Sequence, residues 1–505
     1  MIQVGNIFAL LALLSWPLVA AILFKKLPLE RALIWSILGA YMVLPQISAI
    51  DLPIVPALNK ETIPNLTAFA ICLGVWGKFP DLFPKGLLGK ALLVMFIVSP
   101  AITVLTNLET IRFGIDRFGT LTLVDPNALE LWGLPGLRIY DSVSALAQQV
   151  FLMLPFFLAR VVLRSEEAIR EVLFALIIAG ALYALPMLWE VRFSPQLHTR
   201  IYGFFQHDFA QAMRNGGFRP FVFMPHGLWV AFFAFMCAMA AAAFLRDATR
   251  HESGKRMLIL GGMFGLVVIC KSMGALFFTL VFVPVVLLLK PRMHLAMAAV
   301  MAALVLTYPM LRGSGLIPTT QLVENIESFN PERAQSLDYR FTNEDRILDH
   351  VSEKPLFGWG GWGRFMVYDP ATGESQSIVD GQWVITLGHY GWLGFIGMFG
   401  LMALPIFGLW WHARKPEAPP IPVAVSTLTL ILAVNMVDML PNATLIPFTW
   451  LMAGSLLGYA EALGATTRAA RLARLQHSHS GVALGHMQTP ERRESPQKPQ
   501  RRTVL

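Results

Sequence analysis

The sequence is poor in charge and in cysteine, and each shortage excludes a class of protein. Charged residues make up 14% of the 505 residues, whereas soluble domains carry about a quarter. So few charges cannot cover two or three soluble domains of this total length. The three cysteines, Cys72, Cys237 and Cys270, lie in or beside apolar segments and form neither a disulfide framework nor a CxxC metal motif. We therefore expect small core residues at these positions.

Long apolar segments replace the missing charge. Hydrophobic residues make up 55% of the chain, and runs of about 17 to 20 apolar residues are long enough to span a bilayer core of roughly 30 Å. In lipid such runs must be helical, because no water satisfies the backbone. The sequence therefore predicts an all-α, polytopic transmembrane bundle of about 12 to 13 helices. The predicted spans are 7–24, 32–49, 66–77, 91–107, 143–163, 171–189, 221–245, 257–270, 275–289, 294–311, 388–411, 421–440 and 444–463.

The distribution of basic residues predicts the orientation. Most of the 40 Lys and Arg residues fall in alternate short loops and in the C-terminal tail, which places that side in the cytoplasm. The N-terminus is then extracytoplasmic, and its apolar run, followed rather than preceded by Lys25 and Lys26, is expected to be a membrane helix and not a signal peptide. This pattern accounts for the net charge of +8 without nucleic acid, and the basic C-terminal tail is either a solvated segment that sets the topology or a contact for anionic membrane lipids.

Four parts of the chain follow from this topology. Ten transmembrane helices occupy 1–311, a large extracytoplasmic loop occupies 312–387, three further helices occupy 388–463, and a basic cytoplasmic tail that we expect to be disordered occupies 464–505. Within the large loop, the spacing of apolar residues over Leu337–Ser352 predicts an amphipathic helix that lies on the membrane surface or caps the bundle.

A glycine-rich segment follows that helix. Four glycines lie between Gly358 and Gly363, and their N–H groups could cradle an anion or form a tight interfacial turn. Trp359 and Trp362, in the same segment, could stack on a sugar or belong to the aromatic belt.

Cationic side chains on the extracytoplasmic side are candidates for binding an anionic substrate, since arginine grips phosphate through two N–H groups. For Arg219 and His226 we expect proximity if a helix begins early enough, with a structural hydrogen bond as the alternative for His226. Lys271, at a helix-hairpin turn, either faces a cavity or snorkels. Arg340 either binds phosphate or pairs with Glu344. The full set of candidate cations is Arg214, Arg219, Lys271, Arg340, Arg346 and Arg364.

Three residues are candidate bases or catalytic groups. Asp380 precedes a membrane helix and acts either as a general base or as a helix cap, while His389 and His226 are the other candidates. No His/Cys cluster or DxD motif with metal spacing occurs in the extracytoplasmic loops. We therefore expect no metal and no cofactor.

Residues 337–400 resemble the O-antigen ligase and polymerase superfamily of bacterial envelope proteins. The resemblance rests on an Arg-containing amphipathic segment, a Pro-Leu-hydrophobic-Gly-x-Gly turn, a polar pair and a Gly-x-x-Gly at the next helix. Those elements are Arg340 with Arg346, Pro355–Gly360, Asp380-Gly381 and Gly391-Trp392-Leu393-Gly394. The resemblance implies a multi-pass protein of the bacterial inner membrane with a periplasmic N-terminus and a cytoplasmic C-terminus. It implies metal-free transfer of a glycan from a polyprenyl diphosphate to a glycan or lipid acceptor.

One departure from the family concerns its catalytic position. The ligases carry His-Asn where this chain has Asp380-Gly381, which favours a polymerase or another glycan-transferring member. Two alternatives stay open: a polytopic transporter or lipid-linked glycan flippase, and a non-catalytic envelope-assembly protein. A transporter is expected to show a midplane site and repeated halves, whereas a transferase is expected to show a cavity roofed by the 312–387 loop.

Overall fold

The protein is described by a computed structural model over residues 2–3, 5–51, 55–76, 80–113, 133–214, 216–328 and 331–485. These residues are mostly helical. The helices are α1 (Ile7–Lys26), α2 (Leu29–Val43), α3 (Thr62–Trp76), α4 (Leu87–Leu105), α5 (Asp141–Val162), α6 (Glu166–Phe193), α7 (Leu197–Tyr202), α8 (Gly227–Arg246), α9 (Ser253–Ile269), α10 (Met273–Leu288), α11 (Pro291–Gly313), α12 (Thr319–Glu327), α13 (Pro331–Ser352), α14 (Gln382–Ala413), α15 (Val423–Asp438) and α16 (Pro447–Gly485). Three antiparallel ribbons of two-residue strands complete the fold: β1 (Ile2–Gln3) with β2 (Ala49–Ile50), β3 (Ile111–Arg112) with β4 (Gly133–Leu134), and β5 (Met213–Arg214) with β6 (Gly217–Phe218).

The prediction of an all-helical bundle is confirmed. Each predicted span coincides with a helix, and seven helices among the described residues are long and apolar enough to cross a membrane: α1, α4, α5, α6, α8, α11 and α14. The helices α3, α10 and α15 are apolar but shorter. The spacing of apolar runs therefore located the helices correctly, because in this chain hydrophobic length and helical length coincide.

Helix α8 lies at the centre of the bundle. It packs against α6, α9, α10 and α15, and 78% of its most apolar 18-residue window is buried, against 22% for α1. A run of alanines, Ala240–Ala243, gives it a narrow profile that lets neighbouring backbones approach. The three cysteines are buried and unpaired, as expected for small core residues.

Several loops that the distribution of basic residues assigns to one side of the membrane lie together. Loops assigned to the basic side contact one another through ion pairs. These are Arg31 with Glu171, Arg170 with Asp247, Arg160 with Glu461 and Arg474 with Glu417. We call this the basic end, and the opposite end, which carries α12 and α13, the loop end.

Three boundaries differ from the predictions. The chain remains helical to Gly485, so the predicted disordered tail is wrong for 464–485, where alanine, leucine and arginine favour helix; residues 486–505 lie outside the described part. Helix α8 begins at Gly227 rather than near 221, because Pro220 and Pro225 precede it. The helix predicted over Leu337–Ser352 begins earlier, at Pro331, and the short helix α12 precedes it.

Helix α14 is broken near its beginning, and the glycine-rich segment closes the break. Gly391 adopts φ 61° inside the helix. Backbone N–H groups of Trp359 and Gly360 donate to carbonyls in the first half of α14, and those of Trp392 and Leu393 donate to the carbonyls of Pro355 and Leu356. These four bonds join the 355–360 segment to α14.

The close approach requires the glycines. A Cβ at Gly358 or at Gly391 would overlap backbone of the opposing segment, and both residues have positive φ. Two motifs of the family resemblance, Pro355–Gly360 and Gly391–Gly394, therefore meet in space. Since the amides of Trp359 and Gly360 are spent on α14, the glycine-rich segment is a docking turn rather than an anion cradle.

Candidate functional site

Six of the predicted residues converge at the loop end of the bundle. They line three adjoining spaces of about 530, 230 and 210 Å³. Because Arg340 lines all three, we treat them as one site, the cationic cavity. The predicted residues in its wall are Arg214, Arg219, His226, Lys271, Arg340 and Asp380.

Arg219 is the most deeply buried of these cations. It follows the β5–β6 ribbon, and its backbone N–H donates to the carbonyl of Ala212 over 2.9 Å. Only 1% of its surface is exposed, yet neither Nε nor Nη2 donates a hydrogen bond to any described residue. Burial, and then the charge of Arg214, lowers the Arg219 pKa to about 10, so the side chain stays cationic at neutral pH. Buried, unpaired donors are costly, and Arg219 borders the smallest of the three spaces.

A buried carboxylate fixes the segment that carries Arg219. Glu190, within α6, accepts backbone N–H groups from Leu197, Phe221 and Val222 at 3.1, 2.8 and 2.7 Å. An ionisable residue inside an apolar helix indicates either a functional role or a structural role of this kind. Glu190 was missed because it lies one residue beyond the predicted span 171–189, whereas α6 continues to Phe193.

Lys271 and Arg214 extend the positive wall. Lys271 lies in the three-residue turn between α9 and α10, with φ 50°. Its Nζ donates to the carbonyl oxygen of Arg214 over 3.0 Å. The turn and the β5–β6 ribbon are thereby held together, so the hypothesis that Lys271 faces a cavity agrees with its position.

Arg340 and Asp380 form an ion pair across the cavity. Arg340 Nε lies 3.3 Å from Asp380 Oδ2, and the two side chains are 37% and 49% exposed. The alternative partner of Arg340, Glu344, instead pairs with Arg312. The alternative role of Asp380 as a helix cap is also not observed, because Gly381 is the N-cap of α14.

His226 is held as a neutral donor. Burial, and then the charge of Arg219, lowers its pKa to about 3. Its Nδ1 accepts the backbone N–H of Leu228 over 3.2 Å, capping α8, so the single ring proton lies on Nε2. Arg219 and His226 are therefore not on one helix face as expected, but they are close because the non-helical chain between them folds back. His226 can donate to a substrate but is a poor base.

One arm of the cationic cavity is apolar. It runs among α10, α11, α13, α14 and α15, beginning beside Arg340 and Asp380. Glu344 also borders this arm, and burial raises its pKa to about 7. The apolar residues of the arm are Phe278, Tyr308, Leu337, Phe341, Ile347, Val384, Val437 and Leu440.

Three predicted residues have structural contacts instead. Arg364, 1% exposed on its side chain, donates to the carbonyls of Trp359 and Pro135 and pairs with Glu109. Arg346 donates to the carbonyl of Gln376 over 2.6 Å. Trp359 is stacked on His350, with ring centroids 4.1 Å apart, and donates to the carbonyl of that residue.

Trp362 and His389 also lie outside the cationic cavity. The ring of His389 packs edge-on against Phe365, with centroids 4.4 Å apart, and His389 is not among the lining residues of the cavity. Trp362 is exposed and borders a separate groove. Because neither lies beside Arg219 or Arg340, neither is placed to act on a substrate held there.

Several cavity residues were not predicted. Asp438 ends α15 and accepts hydrogen bonds from Asn442 and Thr444 at 3.0 and 2.7 Å. Its signal was an acidic residue at the end of an apolar run. His207, Gln211, Tyr339 and Asn442 also line the cavity. They come from separate loops and from α13, and no local sequence pattern reveals how these segments pack together.

Comparison with known proteins assigns no family to this geometry. No protein-family model matches the sequence, and no curated protein matches it. Within the described residues, no group of three or more His, Cys, Asp or Glu side chains is arranged to hold a metal ion. The function is therefore argued from the chemistry of the cavity.

Proposed function

We propose that this protein transfers a glycan from a polyprenyl diphosphate to a glycan or lipid acceptor at the periplasmic face of a bacterial inner membrane, in the manner of the O-antigen ligase and polymerase superfamily. The observation that carries the proposal is Arg219, a buried guanidinium with unpaired donors in a cationic cavity. Four cations line that cavity with three acidic side chains, Asp380, Asp438 and Glu344. The excess positive charge suits a diphosphate diester, which carries two negative charges.

The apolar arm supports a lipid-linked donor in particular. A nucleotide sugar offers no long apolar segment, whereas a polyprenyl diphosphate joins an apolar chain directly to its charged group. The cavity has its apolar and charged regions in the same order as the donor. Aromatic and aliphatic residues line the arm that begins beside Arg340, and the other cations line the adjoining space. Desolvation of a phosphate is offset by charge-assisted hydrogen bonds from arginine.

In the proposed reaction the acceptor hydroxyl attacks C1 of the donor sugar. The acceptor O–C1 bond forms, the C1–O bond to the diphosphate breaks, and the hydroxyl proton passes to Asp380. Arg219, Arg340 and Lys271 stabilise the charge that develops on the leaving diphosphate. In the resting protein Arg340 pairs with Asp380, so a diphosphate that draws Arg340 away would free the Asp380 carboxylate to accept that proton.

The transport alternative predicts a different cavity. A transporter is expected to hold its substrate near the membrane midplane between repeated halves. The cationic cavity is instead lined by helix ends and by residues 337–344 and 378–381 of the large loop. This position favours glycan transfer at one face of the membrane over transport across it.

Deleting the gene and analysing surface glycan together with polyprenyl-linked intermediates tests the proposal. Loss of transfer is expected to remove the glycan product and to accumulate the lipid-linked donor on the periplasmic face, where an added glycosidase reaches it in spheroplasts. Accumulation on the cytoplasmic face would instead identify a flippase. An unchanged glycan and donor pool would contradict both functions.

A further inference from the structure

A second groove lies at the loop end, apart from the cationic cavity. It has a volume of about 270 Å³ and is bounded by the ends of α4 and α5, the α2–α3 loop, the glycine-rich segment and α14. It shares no lining residue with the cationic cavity. The side chains that give it chemical character are Ser144, Gln148, Trp362 and Tyr390.

Trp362 lies at the edge of this groove, and its backbone has an unfavourable conformation. Its φ of 53° is one that residues with a side chain rarely adopt, and its side chain is 69% exposed. Trp359, three residues earlier, is packed against His350, so the two tryptophans of this segment differ in role. A strained backbone that presents a large aromatic ring to solvent is an outlier of the kind found at binding sites.

The groove also contains unused hydrogen-bonding groups. The side chains of Ser144, Gln148 and Tyr390 make no hydrogen bond to any described residue. The backbone N–H groups of Gly361 and Trp362 likewise donate to none within that part of the chain. Two aromatic rings with several open donors and acceptors suit a ligand that has both an apolar face and hydroxyl groups. A pyranose ring has both, whereas a lipid chain forms no hydrogen bonds with the polar groups.

We propose that this groove binds a carbohydrate, with Trp362 as the stacking platform and Gln148 and Tyr390 as hydrogen-bonding partners. The inference deepens the proposed function and rests on it, since a transferase that joins two glycans needs a place for the acceptor apart from the donor diphosphate. The cationic cavity and the groove lie at the same end of the bundle, as an acceptor and a donor would require.

Two substitutions alter the groove in opposite ways. Trp362→Ala removes the platform. Gly361→Leu fills the groove: a Cβ at Gly361 meets nothing within 4 Å, and the residue has no positive φ. Trp411→Ala is the matched control, because Trp411 is also exposed, at 59%, but lies at the basic end of α14. Trp362→Gly tests for a structural role, since glycine adopts this φ freely and should keep or raise the thermal unfolding midpoint.

The test is binding of the purified full-length protein to an array of fluorescent bacterial oligosaccharides without lipid or diphosphate. We expect wild type and Trp411→Ala to retain the same glycans. Trp362→Ala, Trp362→Gly and Gly361→Leu should each bind them about 10- to 30-fold more weakly, as loss of a central aromatic anchor does. If wild type retains no glycan, or the groove variants bind like wild type, the inference is overturned. Because no diphosphate is present, that failure is distinct from failure of the donor site.

Discussion

Replacing Arg219 should stabilise the empty protein while it weakens anion binding. The side chain is buried, and its Nε and Nη2 have no partner in the described residues. A buried unsatisfied donor costs about 1–3 kcal/mol. Arg219→Met, of similar length and without donors, should therefore leave the unfolding free energy unchanged or raise it by up to about that amount. Most substitutions of buried residues do the opposite.

The same change should weaken binding of a diphosphate. Hydrogen bonds to charged groups contribute about 1.5–3 kcal/mol each, which corresponds to roughly 10- to 150-fold in Kd. Farnesyl diphosphate is a suitable probe, because it joins a short isoprenoid chain to the charged group. Calorimetry of the protein in nanodiscs measures its Kd, and thermal unfolding without ligand measures stability.

A second variant displaces the guanidinium without removing it. A methyl group at Gly227 would overlap the Arg219 guanidinium, so Gly227→Ala should weaken binding although all charges remain. Arg346→Met is the matched control, since Arg346 is exposed and, among the described residues, its side chain hydrogen-bonds to the carbonyl of Gln376 alone. Farnesyl diphosphate affinity within twofold of wild type in Arg219→Met would refute the assignment. A large loss of stability in that variant would show that Arg219 supports the fold instead.

Four further outcomes follow from the same geometry. Asp380→Asn should fold and insert normally but lose about 10²- to 10⁴-fold in the glycan transfer rate; transfer within twofold of wild type would remove Asp380 as the base. Arg340→Lys keeps the charge but loses the fork of donors, so transfer measured at equal protein level should fall. Burial raises the Glu344 pKa from 4.5 to about 7. The folded state therefore holds the Glu344 proton more tightly than the unfolded state does, and the free energy of unfolding should fall as pH rises from 4.5 to about 7. In Glu344→Gln the thermal midpoint should vary less with pH. A cysteine introduced at Ser480 should resist membrane-impermeant labelling in intact cells, and labelling there would reverse the topology.

The helices and the composition of the cationic cavity were predictable from sequence. Apolar length located the spans, and the alternation of basic loops placed Arg219, Lys271 and Arg340 on one side of the bundle. Sharing one side of the bundle did not by itself bring residues together, since Arg346 and Arg364 share that side and lie outside the cavity. The pairing of Arg340 with Asp380 could not be predicted either, because it depends on how α13 lies across the end of α14.

Residues of the glycine-rich segment were the least predictable. Trp359, Arg364 and Trp362 lie within six positions, yet the first is stacked, the second is clamped by carbonyls, and the third is exposed. Local pattern cannot distinguish these outcomes, since each depends on a distant partner such as Pro135 or His350. The broken start of α14 escaped prediction for the same reason: an apolar run containing Gly391 looks like an uninterrupted helix.

The seam between the glycine-rich segment and broken α14 also determines where the chain tolerates a change of length. Each of its four hydrogen bonds joins one fixed pair of residues. One inserted residue within 355–360 or 388–393 would therefore shift the pairing and leave backbone groups at the break in α14 without hydrogen-bond partners. The exposed turn between them, about 370–374, has no such constraint from the seam and lines no part of the cavity. Insertions, deletions and grafted segments should be accepted there, so this part of the large loop can diverge while the membrane helices beneath it keep their spacing.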